Sequence, residues 1–391
     1  MKKIKTALIS VSDKNRLKPL LNILKKNKIK IISSGGTYKE IKKLKFNCLE
    51  VSKFTNSPEI LNGRVKTLHP KIHAGILNIR NKKSHKMDLK LQNFENIDLV
   101  IVNFYPFEKI LKVTKNNKKI VENIDIGGPS MVRSAAKNYN DVTVITSSNQ
   151  YDELISELKK NNGSTSLEFR IKMSRLAFTE TAYYDSIISN YFNKITNTDF
   201  PKKKIISSNL IEKLRYGENP HQKGALYSRS TLTNIKQIQG KQLSYNNYSD
   251  IFTALKITRS LPQNIGTTII KHGNPCGVSI KKKHLESYMS ALACDPISAF
   301  GGVISCNYKI TKKIASELSK LFTEVIIANG FHKDAIKILR TKKDLRLIDA
   351  SYYTSNENYN FLSSGDEILV QSGDIQKFNK RDFKVVSKKK P

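Results

Sequence analysis

The stretch Thr6-Ala7-Leu8-Ile9-Ser10-Val11-Ser12-Asp13 decides the reading of the first half of the chain. It opens with an apolar run carrying Ser10 near its end, the pattern of a strand buried on both faces. Ser12 and Asp13 then offer an N-cap for a helix reaching about Lys26. The unit repeats. Residues 29–32 read as a second strand, and Ser33-Ser34-Gly35-Gly36-Thr37 leads into another short helix. Further strands are expected at 98–103 and 142–145, with helical patterns between them. Strands alternating with helices, with little hairpin chemistry, predict a mostly parallel sheet. A long amphipathic helix is expected from Ser166 to about Lys194, burying Leu167, Ile171, Leu176, Phe178, Tyr183 and Ile187.

The polar stretch Thr196-Asn197-Thr198-Asp199-Phe200-Pro201-Lys202-Lys203-Lys204 reads as a linker. Beyond it, strands at 267–270, 303–305 and 325–328 are interspersed with helices near 285–293, 311–321 and 334–339. A chain of 391 residues has room for two or three domains, each with its own core. Its residues are 39% hydrophobic, but no long uncharged apolar run occurs, so no membrane span is expected. Met1-Lys2-Lys3-Ile4-Lys5-Thr6 leads into a run too short for a signal peptide and without a small-residue cleavage site. Cys48, Cys276, Cys294 and Cys306 lie far apart with no CxxC pair. They suggest reduced thiols in a cytoplasmic protein, not a disulfide scaffold or a paired-cysteine zinc site.

The formal net charge of +35 is that of a nucleic-acid binder. Yet the lysines are spread over the whole chain, arginine is scarce, and Tyr and Phe do not interleave with them as a stacking platform requires. A nucleotide-composition bias in the source explains the excess of Lys, Asn and Ile more simply. A positive field still gathers phosphorylated substrates.

Several motifs carry chemistry. Ser10-Val11-Ser12-Asp13-Lys14 and Ser34-Gly35-Gly36-Thr37 place small residues between a strand and a helix N-terminus, where backbone N–H groups receive phosphate. Gly63-Arg64-Val65-Lys66-Thr67-Leu68-His69-Pro70 sets two cations at alternate positions, able to clamp an anion and polarise a carbonyl. Asn103-Phe104-Tyr105-Pro106-Phe107 leaves a strand end with an amide and a phenol. Asp125-Ile126-Gly127-Gly128-Pro129-Ser130 enters a helix carrying Arg133 and Lys137. In the second half, Lys271-His272-Gly273-Asn274-Pro275-Cys276-Gly277 puts an ammonium beside an imidazole at a strand end, followed by a tight Gly/Pro loop. Such a pair offers one proton donor and one acceptor to a substrate.

Together these motifs resemble a bifunctional purine-biosynthesis family. That family joins AICAR formyltransferase to IMP cyclohydrolase. The resemblance also takes in Ala135-Ala136-Lys137-Asn138, Leu214-Arg215-Tyr216-Gly217-Glu218-Asn219-Pro220-His221-Gln222 and Asp295-Pro296-Ile297-Ser298-Ala299-Phe300-Gly301-Gly302, and so covers nearly all of the chain. It implies an α/β fold: a methylglyoxal-synthase-like parallel-sheet domain over 1–195, a linker over 196–206, and a cytidine-deaminase-like transformylase region over 207–391. No catalytic zinc is implied, and Pro275-Cys276 lacks the second cysteine of the deaminase signature. No metal, nucleic acid or membrane partner is expected. AICAR, FAICAR, IMP and 10-formyltetrahydrofolate are the implied small molecules, and the implied assembly is a cytoplasmic homodimer with transformylase sites between subunits.

Carried over residue by residue, the cyclohydrolase pocket would hold the phosphate at Ser12, Lys14, Ser34, Gly36 and Thr37, with Arg64, Lys66 and Thr67 along the same wall. Lys66, Tyr105, Asp125 and Lys137 would be catalytic, and Asn103 would hold the substrate amide. Which of them moves each proton is left open by the sequence. In the transformylase, His272 would be the base for the weakly nucleophilic 5-amino group. Lys271 would stabilise the oxyanion or protonate the departing folate nitrogen. Arg215 and Tyr216 would contact phosphate and ribose, and Asn247, Phe300, Gly301 and Glu324 would line the nucleotide.

The family continues past the last residue of this chain, so the transformylase region is expected to be incomplete at its C-terminus. Either the chain is a fragment, or another polypeptide supplies the rest. Cyclohydrolase activity is then expected to survive more readily than formyl transfer, with the second half inactive or a dimerisation scaffold. A basic nucleic-acid-binding protein and an inactive remnant are the remaining readings.

Overall fold

A computed structural model describes residues 1–229, 235–353, 359–374 and 384–389. Lys390 and Pro391, at the end of the terminal basic run, lie outside the described residues. The chain divides into two units, Met1–Ser207 and Ser208–Pro391, just past the linker expected at 196–206.

In the first unit, β1 (Thr6–Val11), β2 (Lys30–Ser33), β3 (Leu49–Glu50), β4 (Leu99–Asn103) and β5 (Thr143–Ile145) form one sheet in the order β3-β2-β1-β4-β5. Every pairing in it is parallel. Helices α1 (Leu17–Lys26), α2 (Gly35–Lys43), α3 (Asn117–Glu122), α4 (Gly127–Lys137) and α5 (Leu167–Ile195) belong to the same unit. Leu8, Ile32, Val100 and Ile145 from four of the strands are fully buried in its core with Leu20, Leu24 and Ala135 from the helices. Each such Leu or Ile side chain contributes about 1.5–3 kcal/mol by leaving water. The chain runs from β1 to one side of the sheet and returns through β4 on the other. The ends of these two strands, with Val11 opposite Asn103, therefore flank a topological switch point, where a crevice opens for ligands.

Two local expectations are corrected. Ser12 and Asp13 do not cap α1, which starts only at Leu17 after Arg16 in a left-handed conformation (φ 62°). The Asp13 carboxylate instead accepts the Asn15 N–H at 3.0 Å, which makes 12–16 a loop at the crevice. On α5, Leu167, Ile171 and Phe178 are exposed, while Phe169, Met173, Ala177, Thr181 and Tyr184 are buried. The buried face includes Arg170 and Ser174, whose polar atoms are satisfied by the carbonyls of Tyr139, Asn140, Thr165 and Ala136. Leu176, Tyr183 and Ile187 are half-buried, Leu176 and Ile187 against core clusters, so apolar periodicity finds part of the packed face and misses its polar members.

The second unit is built on a mixed sheet of β6 (Lys236–Gln239), β7 (Gly266–Lys271), β8 (Asn274–Ile280), β9 (Val303–Cys306), β10 (Val325–Ala328) and β11 (Arg346–Asp349), in the order β6-β11-β10-β9-β7-β8. Only β9-β10-β11 is parallel. Helices α6 (Tyr245–Ser260), α7 (His284–Cys294), α8 (Lys312–Leu318) and α9 (Lys333–Leu339) accompany it. The stretch after His272 is not a loop. His272 (φ 53°) and Gly273 (φ 74°) form a two-residue hairpin turn, and Asn274 to Gly277 begin the antiparallel strand β8.

Candidate functional site

At the switch point of the first unit lies a cavity of about 630 Å³. Ser10, Val11 and Ser12 from the end of β1, Asn103 and Tyr105 from the end of β4, and the first turns of α2 and α4 line it. The loop residues Arg64, Lys66 and Thr67 close one side, and Glu122 and Asp125 another.

The start of α2 is the anion-receptive wall. Ser34 stands at the N-cap but its side chain makes no capping bond, so the Gly35 and Gly36 amides keep the helix's positive end uncapped. A Cβ on Gly36 would sit 3.7 Å from the Lys14 ammonium, and one on Gly35 would sit 3.4 Å from that of Lys66. Two lysine heads thus hang over these glycines, and Gly35 holds a φ of 51° that favours glycine. The Thr37 hydroxyl accepts from Val11 N and donates to Val11 O, both at 2.9 Å, tying α2 to the end of β1. Asn103 is engaged in the same way: it accepts from Asp13 N at 2.8 Å and donates to Asp13 O at 3.1 Å. Both residues shape the wall with side chains already bonded to backbone.

Opposite, Asp125 is held by its neighbours. Its carboxylate accepts the Gly128 N–H at 2.8 Å and the backbone N–H of Tyr105. Burial pushes its pKa up, against those two bonds and the nearby Lys66 ammonium, which pull it down. A half-buried carboxyl with raised affinity for protons, beside a lysine and a phenol, is equipped for proton transfer. Lys66 also lies 3.6 Å from Glu59, and Arg64 pairs with Glu122.

Of the residues expected in this pocket, Ser12, Lys14, Ser34, Gly36, Thr37, Arg64, Lys66, Thr67, Asn103, Tyr105 and Asp125 all line the cavity. Lys137 does not: it is exposed at the far end of α4, about 15 Å along the helix axis from Gly127. Glu122 was missed, although an acid three positions before Asp125, opposite a cationic loop, was a signal in the sequence.

In the second unit, the Lys271 ammonium donates to the Phe300 carbonyl at 2.8 Å. The Phe300 ring lies 5.1 Å from that of Phe322, and Gly301 N donates to Phe322 O at 2.8 Å. Glu324 N bonds Gly302 O at 3.0 Å, and its carboxylate pairs with Arg346 at 2.5 Å. Lys271, Phe300, Gly301 and Glu324 are therefore brought together at the ends of β7, β9 and β10. His272 is exposed on the hairpin turn. Asn247 is buried as half of a capping box with Ser244 at the start of α6. Its neighbour Asn246 reaches the Glu218 carbonyl at 3.3 Å, while Asp250 accepts the Gly273 N–H at 2.7 Å. Four residues apart, Asn246 and Asp250 share one face of α6. That face joins the hairpin to the 215–222 loop, where the Arg215 guanidinium lies 5.7 Å from the Tyr216 ring. Among the described residues no cluster of three His, Cys, Asp or Glu side chains is placed to hold a metal, and no helix is long and apolar enough to cross a membrane.

Comparison with known proteins meets this geometry. Residues 135–391 match the family model described as the AICARFT/IMPCHase bienzyme, and residues 16–130 match that of the MGS-like domain. The bifunctional purine biosynthesis protein PurH of Rhizobium leguminosarum bv. trifolii is 42% identical over 99% of this chain and 74% of its own length. Its namesake in Acetivibrio thermocellus is 41% identical over 99% of this chain and 77% of its own. That of Leptospira biflexa is 42% identical over 100% of this chain and 77% of its own.

The chain belongs to the AICARFT/IMPCHase bienzyme family. The expected order of a methylglyoxal-synthase-like domain followed by the bienzyme region holds, and the parallel sheet of the first unit agrees with it. In this AICARFT/IMPCHase chain, the cavity lies within the unit that contains the whole MGS-like match.

Proposed function

We propose that the cavity of the first unit is the IMP cyclohydrolase site of this purine-biosynthesis bienzyme. The Lys271-His272 hairpin belongs, on the same reading, to its AICAR transformylase site. One observation carries the first assignment: two ammoniums over the open amides of α2 face a half-buried carboxyl across one cavity. A 5′-phosphate seated on Gly35, Gly36, Lys14 and Ser12 leaves the base of the nucleotide toward Asp125, Lys66 and Tyr105. In FAICAR the carboxamide nitrogen attacks the formyl carbon, forming the ring C–N bond, and the cyclic carbinolamine that results loses its hydroxyl as water when the C–O bond breaks. Lys66 stabilises charge growing on the formyl oxygen. Asp125, made more basic by burial, and Tyr105 handle the protons lost by nitrogen and gained by the departing oxygen. Lys137 enters only through a second copy, since it does not line its own subunit's cavity.

In the second unit, the 5-amino group of AICAR attacks the formyl carbon of 10-formyltetrahydrofolate, and the C–N bond to the folate breaks. His272 takes the amine proton, and Lys271 supports the oxyanion or protonates the departing nitrogen. Arg215 and Tyr216 hold the phosphate and ribose. A homodimer suits the exposed Leu167, Ile171 and Phe178 on α5. A cytoplasmic setting suits purine chemistry and four free cysteines.

Purified chain supplied with FAICAR is expected to form IMP, with Lys66→Ala lowering kcat at least tenfold. No turnover, and no saturable binding of IMP, would overturn the assignment. A parallel assay of formyl transfer separates the bifunctional reading from one in which the cyclohydrolase works alone.

A further inference from the structure

We propose that Tyr184, on a helix that does not line the cavity, is a positioning residue that locks Asp125 and Tyr105 into one constellation. The inference rests on the cyclohydrolase reading of that cavity.

Three sets of contacts carry it. The Tyr184 hydroxyl accepts the backbone N–H of Asp125 at 2.9 Å and lies 3.4 Å from the Asn123 carbonyl, to which it donates. Its ring is 5.0 Å from Phe104 and 6.2 Å from Phe107, which bracket Tyr105 in the chain. The Tyr105 N–H in turn donates to the Asp125 carboxylate. One buried phenol, 5% exposed, thus grips the Asp125 segment by its backbone and the Tyr105 segment by its aromatic flanks.

The arrangement matters because neither segment is regular structure. Asp125 lies between α3 and α4, and Tyr105 follows β4 in a turn. Segments of this kind sample alternative conformations unless tied to a rigid element. Helix α5 supplies that element. A site geometry held within about half an ångström is what proton transfer between fixed groups demands. Burial pushes the Tyr184 phenol up to about 12, so it stays protonated, and able to donate to Asn123, throughout any practical assay range. The groups that face Asp125 are Lys66 and Tyr105 on the cavity side and Tyr184 behind it, with Asp185 near that phenol.

Tyr184→Phe keeps the ring and deletes the hydroxyl. Tyr191→Phe is the control: it lies on the same helix and in the same aromatic cluster, but its hydroxyl bonds Asn117 at 3.1 Å. For cyclisation, Tyr184→Phe is expected to lower kcat about threefold to tenfold, the kinetic equivalent of one hydrogen bond, with KM unchanged. The acid limb of its pH–kcat profile should move, and Tyr191→Phe should leave kcat and profile at wild-type values. Amide exchange at Asp125 should accelerate in Tyr184→Phe and not in Tyr191→Phe. A wild-type rate and profile in Tyr184→Phe, or equal losses in both variants, would overturn the proposal. If the unmutated chain fails to cyclise FAICAR, the cavity assignment fails. Exchange at Asp125 then still decides whether Tyr184 holds that segment.

Discussion

Arg64 and Glu122, 58 positions apart in the chain, form a two-pronged ion pair at the solvent-exposed rim of the first unit's cavity. The guanidinium Nε lies 3.2 Å from one carboxylate oxygen, and its terminal nitrogen meets the other. The cavity rim therefore carries its own counter-ion for one of its cations. An incoming phosphorylated ligand competes with Glu122 for Arg64. Glu122→Gln is expected to tighten IMP binding about twofold to fivefold, the scale of an exposed pair. The gain should shrink as salt rises. Titration calorimetry at two ionic strengths reads both; weaker binding by the variant would count against competition.

Asp125 is held in the cavity wall at a cost in stability at neutral pH. Burial raises its folded-state pKa above the unfolded value, so the fold favours the protonated carboxyl. That contribution is fully present below the unfolded pKa and is lost as pH rises through the raised folded value. Asp125→Asn, neutral at every pH, should therefore match the wild type in acid and exceed it at neutral pH. A gain of about 2–4 °C in Tm corresponds to one kcal/mol in a domain of this size. The variant should be nearly inactive in cyclisation. Melting curves from pH 3.5 to 8 check the sign.

The turn bearing His272 depends on Asp250, whose carboxylate accepts the Gly273 N–H at 2.7 Å. His272 sits at φ 53°, a region a non-glycine residue occupies at a cost, so the turn needs that support. Asp250→Ala should lower formyl transfer about threefold to tenfold by loosening the turn. Asp250→Asn keeps an acceptor oxygen and should recover most of the rate. If both variants fall equally, the charge matters and the hydrogen bond does not.

Gly277 packs β8 against α7 so closely that a Cβ would stand 1.9 Å from the Ala291 carbonyl oxygen. That neighbour is backbone and cannot swing aside. Gly277→Ala should cost about 1–3 kcal/mol or more, as overpacking does. Urea unfolding followed by a second-unit probe measures it. Cyclisation, which the proposed function assigns to the first unit, should persist.

Four strands of the first unit's parallel sheet were legible because each is an apolar run bounded by small or polar residues; the fifth, the two-residue β3 of Leu49 and Glu50, carries no such signal. The cavity's polar lining was legible for a related reason: Ser12, Lys14, Gly36, Arg64 and Lys66 fall just beyond strand ends or on the cationic loop. What escaped depended on contacts distant in sequence. The buried face of α5 carries Arg170 and Ser174, whose cost vanishes only once carbonyls from other segments reach them. Pro275-Cys276-Gly277 looks like a loop, yet β8 is an edge strand, where a proline's missing N–H is tolerated. Tyr184 reads as one more core aromatic until its hydroxyl is seen on Asp125.

The uncapped start of α2 has a consequence for how this site withstands change. Its anion-receptive groups at Gly35 and Gly36 are main-chain amides, which no codon change removes except one to proline. Losing the Ser34 or Ser12 hydroxyl would weaken the grip without erasing it. Inheritance of the proposed phosphate seat thus runs through the path of the chain, and Gly35, whose φ of 51° few side chains accept, is the position where drift would close it.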